Sequence, residues 1–113
     1  MDIADWRKKI DELDRLLVQL LSERASAAVE IGRLKRNTNL PIYEPDRERQ
    51  VFDHVSKLNP GPLPDRELVR IFERIMDVMR NIQKEQIVEA AGNTEGKAKT
   101  VGGETELTSE LND

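Results

Sequence analysis

The sequence predicts an all-α protein of three helices, long–short–long, and three observations carry that reading. Two apolar rows with a seven-residue spacing run through the first third of the chain: Ile3, Ile10, Leu17, Arg24 and Ile31 in one, Trp6, Leu13, Leu20, Ala27 and Leu34 in the other. Clusters of Asn, Pro and Gly then cut the remainder into two further helical stretches. The composition, 35% charged and 4% aromatic, suits charged helices better than a sandwich or barrel.

The first helix is expected from about Ile3 to Arg36, with Asp2 as its N-cap and Gly32 as its only glycine. At 1.5 Å per residue it is about 50 Å long. A compact domain of this size is shorter than that, and some 50 further helical residues cannot cover both apolar rows. The length therefore predicts a second copy of the chain alongside. Asn37-Thr38-Asn39 ends the helix, and Leu40-Pro41-Ile42-Tyr43 reads as an extended connector. Pro45 suits the first turn of a second helix reaching Leu58, with Val51, Val55 and Leu58 on its inner face. Asn59-Pro60-Gly61-Pro62 stops it. The third helix starts near Pro64 or Asp65 and runs to about Ala90, with Leu68, Phe72, Ile75, Met76, Met79, Ile82 and Gln83 on one stripe. From Gly92 the apolar period fades, which divides the chain into a helical domain over 1–91 and an acidic tail over 92–113 expected to be disordered.

The charge balance narrows the function. The net charge is −4, and the tail carries most of it, so no basic excess favours nucleic acid. The chain has no cysteine and a single histidine, His54, which leaves no thiolate or histidine metal site to expect. No apolar run approaches the roughly 18 residues that would span a membrane. No signal-peptide pattern opens the chain, and a cytoplasmic protein is the expectation.

Arg24 is the residue that points to chemistry. It occupies a slot of a row otherwise filled by Ile and Leu, where an unpartnered guanidinium is very costly. Either a buried carboxylate meets it or an anionic ligand does. Lys35, eleven residues on, shares its face about 20° around the helix. Arg7 is about 100° away and far along the axis, so an antiparallel partner helix is the simplest way to bring an Arg7 to Arg24. On the second helix Arg47 and Glu48 fall at the edge of the apolar stripe, and on the third Gln83 sets an amide among Met76 and Met79. Taken singly, each has a bland alternative: a snorkelling lysine, a solvated helix start, a satisfied interhelical amide. One pocket explains them together. Arginines and a lysine suit a small dicarboxylate, with Glu and Gln adding hydrogen bonds to hydroxyl or ether oxygens. With neither nucleophile nor histidine base in the set, the chemistry implied is positioning and electrostatics.

The strings that carry these residues are Arg7-x-x-Ile10-Asp11-x-Leu13-Asp14, Leu20-Leu21-x-Glu23-Arg24, Ile31-Gly32-x-x-Lys35, Pro41-Ile42-Tyr43-Glu44-Pro45-x-Arg47-Glu48 and the Phe72 to Gln83 helix. Their order and spacing resemble the all-helical chorismate mutases over about residues 3–87. The resemblance implies an intertwined homodimer whose long first helices pair across the two-fold axis. It implies an isomerase that rearranges chorismate to prephenate, on the branch toward phenylalanine and tyrosine, with no cofactor. It also implies site roles. Arg24, Arg47 and Arg7 of the other subunit would hold the two carboxylates. Lys35 and Gln83 would donate to the ether oxygen. Glu48 would accept the ring hydroxyl, helped by Glu44. Two residues depart from the family pattern: Glu44 stands where aspartate is frequent, and Met79 where some members have a serine beside a carboxylate. Two other readings stay open on the sequence. One is an isochorismate-pyruvate lyase on the same fold. The other is a non-catalytic helical dimerisation or regulatory module. Any feedback control would need a partner enzyme.

Overall fold

A computed structural model describes residues 1–92, with side chains through residue 88; all but the first residue of the acidic tail lies outside the described residues. The described chain is three helices, α1 (Ile3–Thr38), α2 (Pro45–Leu58) and α3 (Asp65–Gly92), and contains no strand. Each matches its expected position, α1 and α3 running two residues further than their periodicity indicated.

Local chemistry accounts for the ends. Asp2 caps α1 by a reciprocal pair: its carboxylate accepts from the Asp5 amide at 2.9 Å, and Asp5 accepts from the Asp2 amide at 3.1 Å. Asn39 ends α1 in the left-handed conformation, φ 59°, which asparagine tolerates better than most residues. Pro45 opens α2, and Glu44 at its N-cap makes no capping bond, because its carboxylate is engaged elsewhere. In the α2–α3 turn the Asn59 side chain donates to the Leu63 carbonyl and to Asp65, both at 2.7 Å, and accepts from the Gly61 amide. Gly61 supplies the positive φ of 72° that the turn requires.

The third helix is the hub, packing against both α1 and α2. Ala28, Gly32, Val51, Met76 and Met79 are buried where the helices meet. α1 passes close against α3 at Gly32. A Cβ there would lie 3.0 Å from the Gln83 Cα and 3.2 Å from its carbonyl oxygen, so no side chain fits without moving backbone. One turn further on, this approach sets Lys35 beside Gln83. Gly32→Ala tests the arrangement. Alanine gains about 1 kcal/mol of helix propensity, and overpacking costs about 1–3 kcal/mol, so net stability falls only modestly. The same crowding is expected to push Gln83 away from Lys35. Thermal melting and a crystal structure of the variant check this, and an unchanged Lys35–Gln83 bond would refute it.

The first half of α1 has little to cover it. Every residue up to Glu23 is exposed, and Ile10, Leu17 and Leu20 keep 53%, 55% and 60% of their surface open. Leu58, expected on the inner face of α2, is also exposed. It sits in the last turn of α2, beyond the reach of the α3 stripe.

Candidate active site

The inner half of α1, the connector and the first turns of α2 enclose a cleft against α3, of about 720 Å³. That is the size range of small-ligand sites. Arg24, Lys35, Arg47 and Arg80 line it, as do Glu44, Asp46 and Glu48, with Gln83 and the apolar Ile31, Val51, Met76 and Met79. Six of the seven residues singled out from the sequence, Arg24, Lys35, Glu44, Arg47, Glu48 and Gln83, come together here. Arg7 does not. It lies on the exposed half of α1, about 26 Å along the axis from Arg24.

The two arginines from α1 and α2 are the electrostatic centre. Neither Arg24 nor Arg47 has a carboxylate partner among the described residues. Burial lowers the pKa of the Arg24 guanidinium below its ordinary value, and repulsion from Arg47 lowers it further. The alternative of a buried glutamate neutralising Arg24 is therefore set aside. The two like charges face one cavity, and an anion between them would relieve the desolvation and the repulsion together.

Lys35 is organised in the opposite way. It is buried at 6% exposure, and its ammonium donates to Gln83 Oε1 at 2.9 Å and to the Ile42 carbonyl at 3.3 Å, while Glu44 Oε1 lies 2.8 Å away. An ammonium has three donors, so all three are directed. The bond to Gln83 also orients that amide. With Oε1 held by Lys35, the Nε2 donors remain for the cleft. Glu44 thus acts first as the counter-ion of Lys35, which explains why it does not cap α2.

Glu48 is mostly buried, and its Oε2 accepts from Arg80 Nε at 2.7 Å. The apolar members and Gln83 that define the inner stripe of α3 in the sequence do not point to Arg80, yet its spacing does: four residues after Met76 and three before Gln83, it borders the same stripe. Met79, the departure from the serine pattern, is buried at the cleft wall and offers no donor. Among the described residues no group of three or more His, Asp or Glu side chains could hold a metal, and no helix is long and apolar enough to cross a membrane.

A second groove of about 590 Å³ runs between α1 and α3, lined by Val18, Leu21, Ile71, Ile75, Val78 and Ile82 among others, and is almost wholly apolar. It continues the uncovered rows of α1.

Comparison with known proteins agrees with this geometry. The profile of chorismate mutase type II matches residues 6–84. The chain is 37% identical over 87 residues to a bifunctional chorismate mutase/prephenate dehydratase of Aquifex aeolicus, covering 74% of this chain and 24% of that protein. It is 32% identical over 88 residues to the chorismate mutase of Methanocaldococcus jannaschii, covering 77% of this chain and 89% of that one. It thus spans about a quarter of the bifunctional relative and nearly all of the single-function one. Among solved structures, chorismate mutase (form II) from Thermus thermophilus superposes with a TM-score of 0.72 at 36% identity, covering 74% of this chain and 96% of that chain. On the profile match, the identities and the shared fold, this chain belongs to the type II chorismate mutase family.

Proposed function

We propose that the chain is a chorismate mutase that acts as a homodimer and rearranges chorismate to prephenate without a cofactor. The observation that carries the reading is the pair Arg24 and Arg47, unpartnered by any carboxylate among the described residues and facing one cleft with the Lys35–Gln83 donor pair. Four cations and three carboxylates line that cleft. A second copy's Arg7 would raise the excess to two positive charges, which matches a dicarboxylate.

The chemistry is intramolecular: a carbon–oxygen bond of the ether breaks as a carbon–carbon bond forms, and no proton or electron leaves the substrate. The chain's work is therefore to hold the reactive shape and to stabilise charge. Arg24, Arg47 and Arg7 of the partner subunit grip the carboxylates in substrate and transition state alike, which provides binding and orientation. Lys35 and the Nε2 of Gln83 face the ether oxygen, which becomes more negative as its bond to carbon lengthens. Their hydrogen bonds tighten only then, so they lower the barrier. The ammonium exchanges its longest bond, to the Ile42 carbonyl, for the ether oxygen. Glu48 accepts the ring hydroxyl. Glu44 keeps Lys35 aimed and lines the same cleft. A cytoplasmic location goes with this reading. So does a partner enzyme acting on the product, since bifunctional relatives join chorismate mutase to prephenate dehydratase.

The test is a spectrophotometric assay of chorismate loss with prephenate identified as product, run beside sedimentation on the same sample. Saturable turnover by a dimer is expected. Salicylate and pyruvate from isochorismate, with chorismate untouched, would instead establish the lyase. Inertness toward both would leave a non-catalytic helical module.

A further inference from the structure

Arg80 is the one cation of the cleft that the rearrangement does not require to touch substrate, and it is held by two carboxylates. It reaches from α3 toward α2, where its Nε donates to Glu48 Oε2 at 2.7 Å. Its terminal nitrogen donates to Asp77 Oδ1 at 2.6 Å, one turn back on its own helix. Its guanidinium carbon stands 5.4 Å from the centroid of the Tyr43 ring in the connector. The contrast with Arg24 and Arg47 is chemical: those two face the cavity without carboxylate partners, whereas Arg80 has two. An arginine engaged in this way is a poor grip for an incoming carboxylate and a good brace for the acid it holds.

That acid is Glu48. A carboxylate can accept on both oxygens. Oε2 faces Arg80, and Oε1 has no hydrogen-bond partner among the described residues. We propose that Arg80 is a positioning residue: by fixing Oε2 against α3, it presents Oε1 of Glu48 to the hydroxyl of the substrate. The assignment rests on the chorismate mutase reading and adds to it a residue outside the substrate's own contacts. Asp77 and Tyr43 complete the brace, since they keep the guanidinium from following the substrate's carboxylates toward Arg24 and Arg47.

The experiment uses the full chain with Arg80→Leu, Arg80→Lys and Glu48→Gln, and with Arg80→Leu and Glu48→Gln combined. Each is assayed on chorismate and on a chorismate analogue lacking the ring hydroxyl, with folding checked by circular dichroism. On chorismate, Arg80→Leu is expected to lower kcat/KM about tenfold, and Arg80→Lys, which keeps the charge and one donor, to recover part of that loss. On the analogue the Arg80 variants are expected to match the parent, because Glu48 then has nothing to accept. Adding Arg80→Leu to Glu48→Gln is expected to cost nothing further. Should Arg80→Leu fail to fold, Arg80→Lys, alone and combined with Glu48→Gln, carries the same two comparisons. Equal losses on both substrates, or additive losses in the double variant, would overturn the assignment in favour of direct binding or general support. A parent enzyme that turns over chorismate beside an Arg80→Leu variant that equals it would remove Arg80 alone. A parent that leaves chorismate untouched would remove the mutase reading and this inference with it.

Discussion

Replacing Lys35 by alanine is expected to lower kcat for chorismate by about 10²–10³-fold, the usual cost of removing one donor aimed at developing negative charge, while KM moves far less. The asymmetry follows from where the ammonium sits. Lys35 is held by Gln83, Glu44 and the Ile42 carbonyl, whereas Arg24 and Arg47 have no carboxylate partner among the described residues, so substrate affinity is left largely to Arg24, Arg47 and Arg7. Folding should survive the change. The carboxylate left behind, Glu44, keeps 44% of its side chain open to water and can be hydrated where a fully buried acid could not. Lys35→Met, which retains the aliphatic stem and fills the same space, is expected to show the same kcat loss with the parent's melting temperature, so that packing and charge are separated. Steady-state kinetics on both variants, beside thermal melts, check this. A variant that retains parental kcat would remove electrostatic stabilisation of the ether oxygen from the mechanism.

Much of this site is legible in the sequence because helices turn spacing into position. Arg24 and Lys35 are eleven residues apart, three full turns and a little more, so they share a face whatever else packs around them. Gln83 follows Met76 by seven and Met79 by four and had to join the stripe that meets α1. The heptad rows of α1 give its length, and Asn39, Pro45 and Asn59 mark the turns. The remainder depends on distances between helices, which no periodicity encodes. That Glu44 reaches Lys35 rather than capping α2 follows from how close the connector passes to α1. The pairing of Arg80 with Glu48 joins residues 32 apart that no common period relates. The depth of the α1–α3 contact depends on Gly32, whose sequence signal is only a missing side chain. Leu58 shows the reverse error: on a period it belongs to the inner face, but α2 outruns the surface that would bury it.

Arg7→Ala and Lys35→Ala, each nearly inactive alone, are expected to restore activity when mixed. The reason is geometric. Within one chain Arg7 is about 26 Å along α1 from Arg24, and the surface between them, Ile10, Leu13, Leu17 and Leu20, stays largely exposed. An antiparallel copy laid on those rows would cover them and carry its own Arg7 to the cleft, so that each site takes Arg7 from one chain and Lys35 from the other. In a heterodimer of the two variants, the site built on the Arg7→Ala chain has its own Lys35 and the partner's intact Arg7, and is complete. Refolding an equal mixture makes half the dimers heterodimers with one complete site each, so about a quarter of parental activity should return. Arg24→Ala mixed with Lys35→Ala serves as the control. Both of those residues line the cleft of a single chain, every heterodimer site lacks one of them, and nothing should return. If the first mixture stays as inactive as its components while native mass spectrometry shows that heterodimers have formed, Arg7 does not cross between subunits, and the cleft must neutralise a dianion with the residues of one chain.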